Sequence, residues 1–259
     1  MAAPATALPD DLVRTLGQAR RVVALTGAGV SAESGIPTFR EAQRGLWARF
    51  DPITLASPEG FAADPARVWD WYQWRRELVG HSRPNAGHRA LAELAGMVEH
   101  FCLITQNVDG FHQLAGSTDV LELHGNITRS ICSRTRKMVD SDWLARHSDQ
   151  HPPPSPHHVD GLCRPDVVWF GEALDEQVLA QAMHAASQAE LMIVAGTAGA
   201  VYPAAGLPAL AAEHGARIID INPEATAISR LADWHLSGPS AHWLPSLVAA
   251  LSGHHGSSP

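Results

Sequence analysis

Short apolar runs alternate with longer alanine-rich segments along most of the chain. The predicted strands are 21–26, 101–107, 191–197 and 216–222. The predicted helices are 9–20, 89–100 and 176–190. Apolar runs of strand length that alternate with helices are typical of an α/β protein, in which a Rossmann-like parallel sheet carries helices on both faces. In such sheets ligands bind beyond the carboxyl ends of the strands, where the polar loops of this chain fall.

Two stretches interrupt the alternation. Residues 41–85 are rich in Trp, Phe and Arg without a clear strand, and residues 126–163 contain a segment rich in Pro and His that is typical of irregular chain. We expect both to be inserts that form a smaller domain over the mouth of the sheet. The larger part is then expected at about 9–40, 86–125 and 164–251, with 252–259 as a flexible tail. We find no internal repeat.

Composition and charge narrow the class of protein. The chain has 259 residues and a formal net charge of -8, which argues against nucleic acid as the main partner. Its three cysteines form no close pair, which favours a reducing compartment over a disulfide scaffold. The sequence shows no secretory signal and no apolar run of membrane-spanning length, so we expect a cytoplasmic protein that does not bind membranes. The oligomeric state stays open.

The segment LTGAGVSAESGIPTFR, residues 25–40, leaves the first predicted strand through a glycine-rich turn. Gly27 and Gly29 suit a tight turn in which backbone N–H groups approach a phosphate, and a following helix N-terminus adds a favourable dipole. By itself the signal is weak, because many such turns carry glycine for packing only. The segment matches neither a Walker loop nor the usual dinucleotide fingerprint.

The same segment resembles, almost letter for letter, the signature of the sirtuins, the NAD-dependent protein deacylases. Further matching segments follow in the family's order: TQNVDGFHQLAG (105–116), ELHGN (122–126), RPDVVWFGE (164–172), VAGTAGAVYPAA (194–205, with one change) and INPEAT (221–226). Together they extend from about Val22 to Leu251. The resemblance implies NAD as the cofactor and acylated-lysine proteins or peptides as the partners.

The resemblance also implies cofactor contacts, residue by residue. The phosphates and ribose would be lined by Gly27, Ala28, Gly29, Ser31, Ala32 and Glu33, and a mobile covering loop would hold Thr38, Phe39 and Arg40. The nicotinamide and its ribose would contact Gln106, Asn107, Val108, Asp109 and His124. The adenosine half would be held by Gly196, Thr197, Ala198, Asn222, Glu224 and Ser240. Ala198 stands where the family usually has serine, so one hydroxyl contact would be missing or replaced by water.

His124 is the candidate catalytic base, because the family places its base in the motif that reads ELHGN here. An imidazole titrates near neutral pH and can accept a proton from a ribose hydroxyl. The resemblance implies that the acyl-lysine oxygen attacks the ribose carbon as nicotinamide leaves, and that His124 then helps the ribose hydroxyl attack the resulting imidate. The products would be free lysine, nicotinamide and O-acyl-ADP-ribose. Asn107 and Asp109 would organise that ribose or a water, although such residues also commonly cap turns.

The segment WDWYQWRREL, residues 69–78, bears on the acyl group. Three tryptophans on a helix also fit core packing with arginines directed outward. Tyr72 and Arg75, however, are three residues apart and share a helix face, where a guanidinium fork and a phenol can bind one carboxylate. The pair resembles the one by which class III sirtuins recognise succinyl and malonyl groups. We therefore expect a preference for acidic acyl groups over acetyl.

RPDVVWFGE is expected to provide an edge strand for the substrate peptide, because added strands are recognised chiefly through their backbone. The candidate peptide contacts are Val168, Trp169, Phe170 and Gly171. An ordinary buried strand would satisfy the same residues.

The sequence departs from the family at its structural zinc site, which needs four ligands. Cys132 is present, but Thr135 stands where the second cysteine belongs, and the other pair falls on Pro156 and Val159. A rebuilt site can be written from Cys132, Cys163, His157 and His158, but it would need a different loop. We expect the zinc to be absent, with no metal ligands in the chain and the cofactor site intact.

Two other functions remain open from the sequence. The same pocket could serve a mono-ADP-ribosyltransferase or an NAD hydrolase, although neither would need the carboxylate clamp of Tyr72 and Arg75. A non-catalytic NAD-binding module is a further alternative, against which stand the intact His124, Asn107 and Asp109.

Overall fold

The computed structural model describes residues 7–37 and 51–255. Within these ranges the strands form two sheets. The larger has the six strands β1 (Arg21–Thr26), β2 (His100–Thr105), β3 (Val120–Glu122), β7 (Leu191–Ala195), β8 (Arg217–Asn222) and β9 (Trp234–Ser237). The smaller has the three strands β4 (Gly125–Cys132), β5 (Met138–Val139) and β6 (Cys163–Val167).

The larger sheet has the order β3–β2–β1–β7–β8–β9, and every neighbouring pair is parallel. The chain leaves β1 to build one half of the sheet and later adds β7 on the other side of β1. The strand order therefore reverses beside β1, which is where ligands bind in open α/β sheets. The expected parallel sheet is confirmed, and the glycine-rich turn after β1 lies at the reversal.

Helices cover both faces of this sheet. One face carries α1 (Asp10–Gln18), α6 (Ala86–Ala95) and α11 (Ser240–His255), and the other carries α9 (Glu176–Gln188) and α10 (Leu207–Glu213). Along β1, Val22 and Ala24 pack into the first layer while Val23 and Leu25 pack into the second. Such a strand is apolar at successive positions because both of its faces are buried. No helix in the described ranges has the length and apolar character to cross a bilayer.

The smaller part combines helices α3 (Pro52–Leu55), α4 (Pro58–Ala63), α5 (Pro65–His81) and α8 (Ser141–Arg146) with the antiparallel sheet β5–β4–β6. Helix α5 begins after Asp64, whose carboxylate accepts the Arg67 N–H at 3.0 Å, and Pro65 occupies its first position. Both features are typical of helix starts. The long α5 packs against β4 and β6, and its residues Trp71 and Tyr72 share a buried cluster with Trp169.

Several boundaries differ from those expected. Strand β6 pairs with β4 in the smaller sheet, although its residues were assigned to the larger part from 164 onward. Helix α11 continues to His255, so 252–255 are helical rather than part of a tail. Helix α6 ends at Ala95, because the chain must turn before β2 begins at His100.

Candidate active site

The turn that follows β1 packs directly against the turn that follows β7. Gly27 N–H donates to the Ala195 carbonyl at 3.0 Å, and Gly29 N–H donates to the Gly196 carbonyl at 2.8 Å. A Cβ on Gly27 would lie 2.7 Å from the Gly196 oxygen, and one on Gly29 would lie 2.8 Å from the Gly196 Cα. Glycine is therefore needed for the close approach of two strand ends, which brings two of the candidate cofactor loops together.

The loop after β2 is bonded to both turns. Gln106 Nε2 donates to Thr197 Oγ1 at 3.0 Å, and Asn107 Nδ2 donates to the Gly27 carbonyl at 3.0 Å. Three strand ends that are far apart in the sequence thus form one polar wall. The predicted cofactor residues on these three loops are brought together.

A chain of hydrogen bonds runs from α6 to Asp109. Asn85 N–H donates to His88 Nδ1 at 3.2 Å, so Nε2 of the neutral ring can donate to Ser31 Oγ at 3.3 Å. The Ser31 hydroxyl donates to Asp109 Oδ2 at 2.7 Å. Burial lowers the pKa of His88 to about 4, which keeps the ring neutral. Sequence reasoning missed His88, although Asn85 and His88 have the spacing of a capping box.

Asp109 is buried and held on its other oxygen as well. Its Oδ1 accepts the Phe111 N–H at 2.9 Å. Burial raises the pKa of the Asp109 carboxyl, whereas the hydrogen bonds from Phe111 and Ser31 and the charge of Arg75 act in the opposite direction. The carboxyl group is thus fixed in orientation next to the positive charge that α5 contributes.

His124 lies between β3 and β4 and is half-buried. Its Nδ1 is 3.0 Å from the carbonyl oxygen of Gln106. Because a carbonyl can only accept, Nδ1 carries the proton of the neutral ring, and Nε2 keeps a lone pair for an incoming hydroxyl. Burial lowers the pKa of His124, partly opposed by this hydrogen bond. Both the tautomer and the protonation state suit a general base.

The lowered pKa of His124 predicts the acidic limb of the pH–rate profile. If the neutral ring is the active form, kcat/KM should fall only at a pH below the ordinary imidazole value of 6.5, since burial favours that form. The measurement is kcat/KM for an acylated peptide from about pH 5 to about pH 9. An acidic midpoint above the ordinary imidazole value would contradict the assignment of this limb to His124.

At the far end of the sheet, Asn222 is held by a buried carboxylate. Its Nδ2 donates to Asp220, which also accepts the hydroxyl of Ser229 and lies 3.0 Å from His235 Nδ1. Asp220 is fully buried on β8, so the Asn222 side chain is fixed where β8 ends. Sequence reasoning named Asn222 but not Asp220, Ser229 or His235.

Four other predicted cofactor residues, Glu33, Ala198, Glu224 and Ser240, differ in their surroundings. Ser240 Oγ is buried and has no hydrogen-bond partner in the described part of the chain. The Glu33 carboxylate accepts the Ala241 N–H at 2.9 Å, in the first turn of α11. One Glu33 oxygen therefore secures the fold, and any cofactor contact of Glu33 would use the other. Ala198 and Glu224 are exposed.

The polar wall fits an extended dinucleotide. The two glycine turns allow a close approach to backbone. The Ser240 hydroxyl, which has no partner among the described residues, is a hydrogen-bonding group at the predicted adenine end. The Val108 carbonyl accepts the Ile127 N–H at 2.7 Å. Ala28 precedes the short helix α2 (Gly29–Ala32), and Ala32 is its last residue. The predicted covering-loop residues lie outside the described residues: Thr38, Phe39 and Arg40.

Helix α5 carries two neighbouring arginines with different surroundings. Arg76 donates from Nε to the Ile127 carbonyl at 2.6 Å and from Nη2 to the Arg129 carbonyl at 2.7 Å and Ser130 Oγ at 2.9 Å. Arg75 makes no hydrogen bond or ion pair with any residue of the described ranges. Arg76 thus ties α5 to β4, whereas the donors of Arg75 are not used by the residues that the structure describes.

Aromatic rings surround Arg75 on the protein side. Its guanidinium carbon lies 5.0 Å from the ring centroid of Trp71 and 5.7 Å from that of Tyr72. Burial lowers the pKa of Arg75, opposed by interactions with Tyr72 and Asp109. Because an arginine is costly to bury without an anion, this geometry suits an anionic ligand.

The candidate peptide residues follow strand β6 rather than lying in it. Val168 N–H donates to the His124 carbonyl at 2.9 Å, and Phe170 N–H donates to the Ala56 carbonyl at 2.9 Å. Trp169 was a candidate peptide contact. It is 2% exposed and its ring faces the interior, so it does not lie on the surface that a peptide can reach. Gly171 has φ of 87°, which ends the extended backbone.

The segments around Cys132 and His157, where the resemblance places a zinc site, make hydrogen bonds of their own. Burial raises the pKa of the Cys132 thiol, but hydrogen bonds from Ser155 and Thr135 outweigh it and lower the pKa to about 7. His157 Nε2 lies 2.6 Å from the Met138 carbonyl oxygen. In the described ranges no three His, Cys, Asp or Glu side chains group as metal ligands do, so the rebuilt site with Cys163 and His158 is not assembled. The absence of zinc stays a prediction.

Comparisons with known proteins agree on one family. A family model described as the Sir2 family matches residues 27–203. NAD-dependent protein deacylase 1 of Pseudomonas aeruginosa is 46% identical over 241 residues, which cover 92% of this chain and 96% of that protein. The NAD-dependent protein deacylase of Aeropyrum pernix is 50% identical over 223 residues, covering 86% and 89%.

Solved structures give the same result. A Sir2 homologue in complex with NAD superposes with a TM-score of 0.88 at 42% identity, covering 98% of this chain and 97% of that one. A Sir2 protein with a deacetylated peptide and 3'-O-acetyl-ADP-ribose has a TM-score of 0.80 at 30% identity, covering 92% and 96%.

Proposed function

The chain belongs to the Sir2 family, and from this premise we propose that it is an NAD-dependent protein-lysine deacylase that prefers acyl groups ending in a carboxylate, such as succinyl and malonyl. The NAD-dependent deacylase names of relatives that are 46% and 50% identical support the reaction class. The acyl preference rests on this chain's own residues.

The observation that carries the acyl preference is the difference between Arg75 and Arg76. Every bond of Arg76 goes to protein acceptors, so it serves the fold. Arg75, one position earlier, is half-buried and unpaired in the described part of the chain. A planar guanidinium can bind a carboxylate through two parallel hydrogen bonds. The acid of a succinyl group would supply the missing anion.

The reaction places particular demands on the polar wall. When bound, NAD would supply the ribose carbon and hydroxyl that take up the acyl group, and one water would be consumed in forming nicotinamide, O-acyl-ADP-ribose and free lysine. His124 would accept the proton of a ribose hydroxyl at Nε2, since Nδ1 is committed to the Gln106 carbonyl. Asp109 and Asn107 would orient the same ribose. Asp109 is fixed by accepting hydrogen bonds from Ser31 and Phe111, and Asn107 by donating one to the Gly27 carbonyl.

The substrate peptide is proposed to bind beside β6. That strand pairs with β4 on one side and forms the edge of the small sheet. Val168, Phe170 and Gly171 extend the chain beyond it, and Phe170 is 42% exposed. Recognition of an added strand through its backbone would admit many acylated protein sequences.

The alternative function, mono-ADP-ribosyl transfer or NAD hydrolysis in the same pocket, is less well supported. It would leave Arg75, which has no ion pair within residues 7–37 and 51–255, without a ligand, and the compared relatives are deacylases by name.

Replacing Arg75 tests the acyl preference. We expect Arg75→Met to lower kcat/KM for a succinylated peptide by about 10- to 100-fold, because a hydrogen bond to a charged group contributes about 1.5–3 kcal/mol. The rate on the matched acetylated peptide should not fall, since it lacks the carboxylate. The measurement is product formation by mass spectrometry with both peptides and NAD.

Arg14→Met, on the exposed surface of α1, is the matched control and should leave both rates unchanged. Equal losses on both peptides in Arg75→Met would give Arg75 a general role instead. Removal of acetyl alone by the unaltered protein would disprove the acid preference and keep the deacylase. Nicotinamide release with both peptides untouched would favour the alternative function.

A further inference from the structure

Trp169 makes a hydrogen bond to the phenol of the proposed carboxylate clamp. Its indole Nε1 lies 3.0 Å from Tyr72 Oη, although the two residues are 97 positions apart in the sequence. Both residues are about 2% exposed, so the hydrogen bond is shielded from bulk solvent. The two ring centroids lie 6.5 Å apart.

The direction of this bond is fixed by chemistry. An indole N–H can only donate, so the Tyr72 oxygen must accept and its own proton must point elsewhere. No acceptor for that proton is found among the residues of the described ranges. Burial raises the pKa of Tyr72, which keeps the phenol protonated. Tyr72 is therefore a neutral donor whose hydrogen is left for a ligand.

We infer that Trp169 is a specificity-determining positioning residue, which directs the Tyr72 hydroxyl proton toward the carboxylate of an acidic acyl group. The inference rests on the proposed acyl preference and adds to it a residue that does not touch the substrate. Without the indole donor, the Tyr72 hydroxyl could rotate and lose its fixed direction. The clamp would then keep the charge of Arg75 but lose the orientation of its second donor.

A buried ion pair fixes the indole in place. Arg164 is 4% exposed and donates to both oxygens of Glu172, at 2.6 and 2.9 Å. The same Glu172 accepts the Trp169 backbone N–H at 2.9 Å, and the Arg164 guanidinium carbon lies 3.3 Å from the Trp169 ring centroid. Phe61 packs at 5.2 Å between centroids. Such a support restricts the ring to one orientation, so its N–H keeps one direction.

The test compares Trp169→Phe, Tyr72→Phe and the double variant on the matched succinylated and acetylated peptides. We expect Trp169→Phe to lower the succinyl-to-acetyl ratio of kcat/KM by about 3- to 10-fold, the effect of a single hydrogen bond. In the Tyr72→Phe background the same change should lower the ratio no further, because the phenol that it orients is absent. A purely structural role would lower both rates together and leave the ratio unchanged.

Replacement of Trp169 by benzothienylalanine keeps the bicyclic ring and removes only the N–H, so it decides the question if Trp169→Phe fails to fold. An unchanged ratio in that variant, or an equal loss in the Tyr72→Phe background, would overturn the inference. Arg75→Met separates the two proposals. If Arg75→Met lowers the ratio and the Trp169 variants do not, only the role of Trp169 is lost. If the unaltered protein has no succinyl preference, the proposed acyl preference is wrong, and the inference about Trp169 is wrong with it.

Discussion

Replacing His124 with alanine is expected to lower kcat for acyl transfer by about 10² to 10⁴, the range that a positioned general base contributes. The reason is the free Nε2 lone pair, which the hydrogen bond between Nδ1 and the Gln106 carbonyl directs away from the backbone. Exchange of labelled nicotinamide into NAD should persist, because it precedes the need for a base at the ribose hydroxyl. The two rates can be measured on one preparation with an acylated peptide.

His184→Ala supplies the control for this experiment. His184 is exposed on α9, remote from the polar wall, and its loss should change neither rate. If His124→Ala lost exchange and acyl transfer equally, the residue would act in binding or folding rather than as the base. Full acyl transfer in His124→Ala would remove it from the mechanism.

Gly125→Ala is expected to destabilise the fold by about 2–5 kcal/mol, the sum of overpacking and an unfavourable left-handed backbone. Gly125 has φ of 78°, and a Cβ there would lie 2.2 Å from the carbonyl oxygen of Asp166 on the paired strand. The clash is with backbone and cannot be relieved by turning a side chain. Thermal unfolding should shift down by about 4–20 °C, since a chain of this size loses about 2–4 °C per kcal/mol.

Gly80→Ala is the matched control for this change. Gly80 lies in α5 with open space around its Cα, so alanine should leave the unfolding free energy unchanged or raise it by up to about 1 kcal/mol. A wild-type melting temperature for Gly125→Ala would contradict the close approach of β4 and β6. Because Gly125 follows His124 directly, the folded fraction of this variant should also deacylate more slowly.

The architecture could be predicted because it follows from periodicity. Apolar runs of strand length between helices suffice to predict a parallel sheet, and the strands at 21–26 and 216–222 lie within one residue of those expected. The assignment of β6 failed for a physical reason. The short segment Cys163–Val167 mixes charged and apolar residues and carries no signal for which of two sheets it joins, since that depends on contacts distant in sequence.

Site residues could be predicted where they belong to a sequence motif. The contacts that orient a side chain could not be predicted where the partner is distant in the sequence. Asn107 and His124 lie on the polar wall as expected. The bond of Trp169 to Tyr72 depends on the direction of one side chain, and the run of apolar residues in RPDVVWFGE does not encode it. Glu33 likewise contacts α11, which is about 200 positions away.

The pairing of Arg76 with β4 separates the anchoring of α5 from the proposed binding of the acyl group by Arg75. Arg76 anchors the helix through three backbone or hydroxyl acceptors, so the orientation of α5 does not depend on its neighbour. Position 75 can therefore change in evolution or by design without releasing the helix. If Arg75 sets the acyl preference as proposed, the substrate range can be adjusted at that position while the scaffold stays constant.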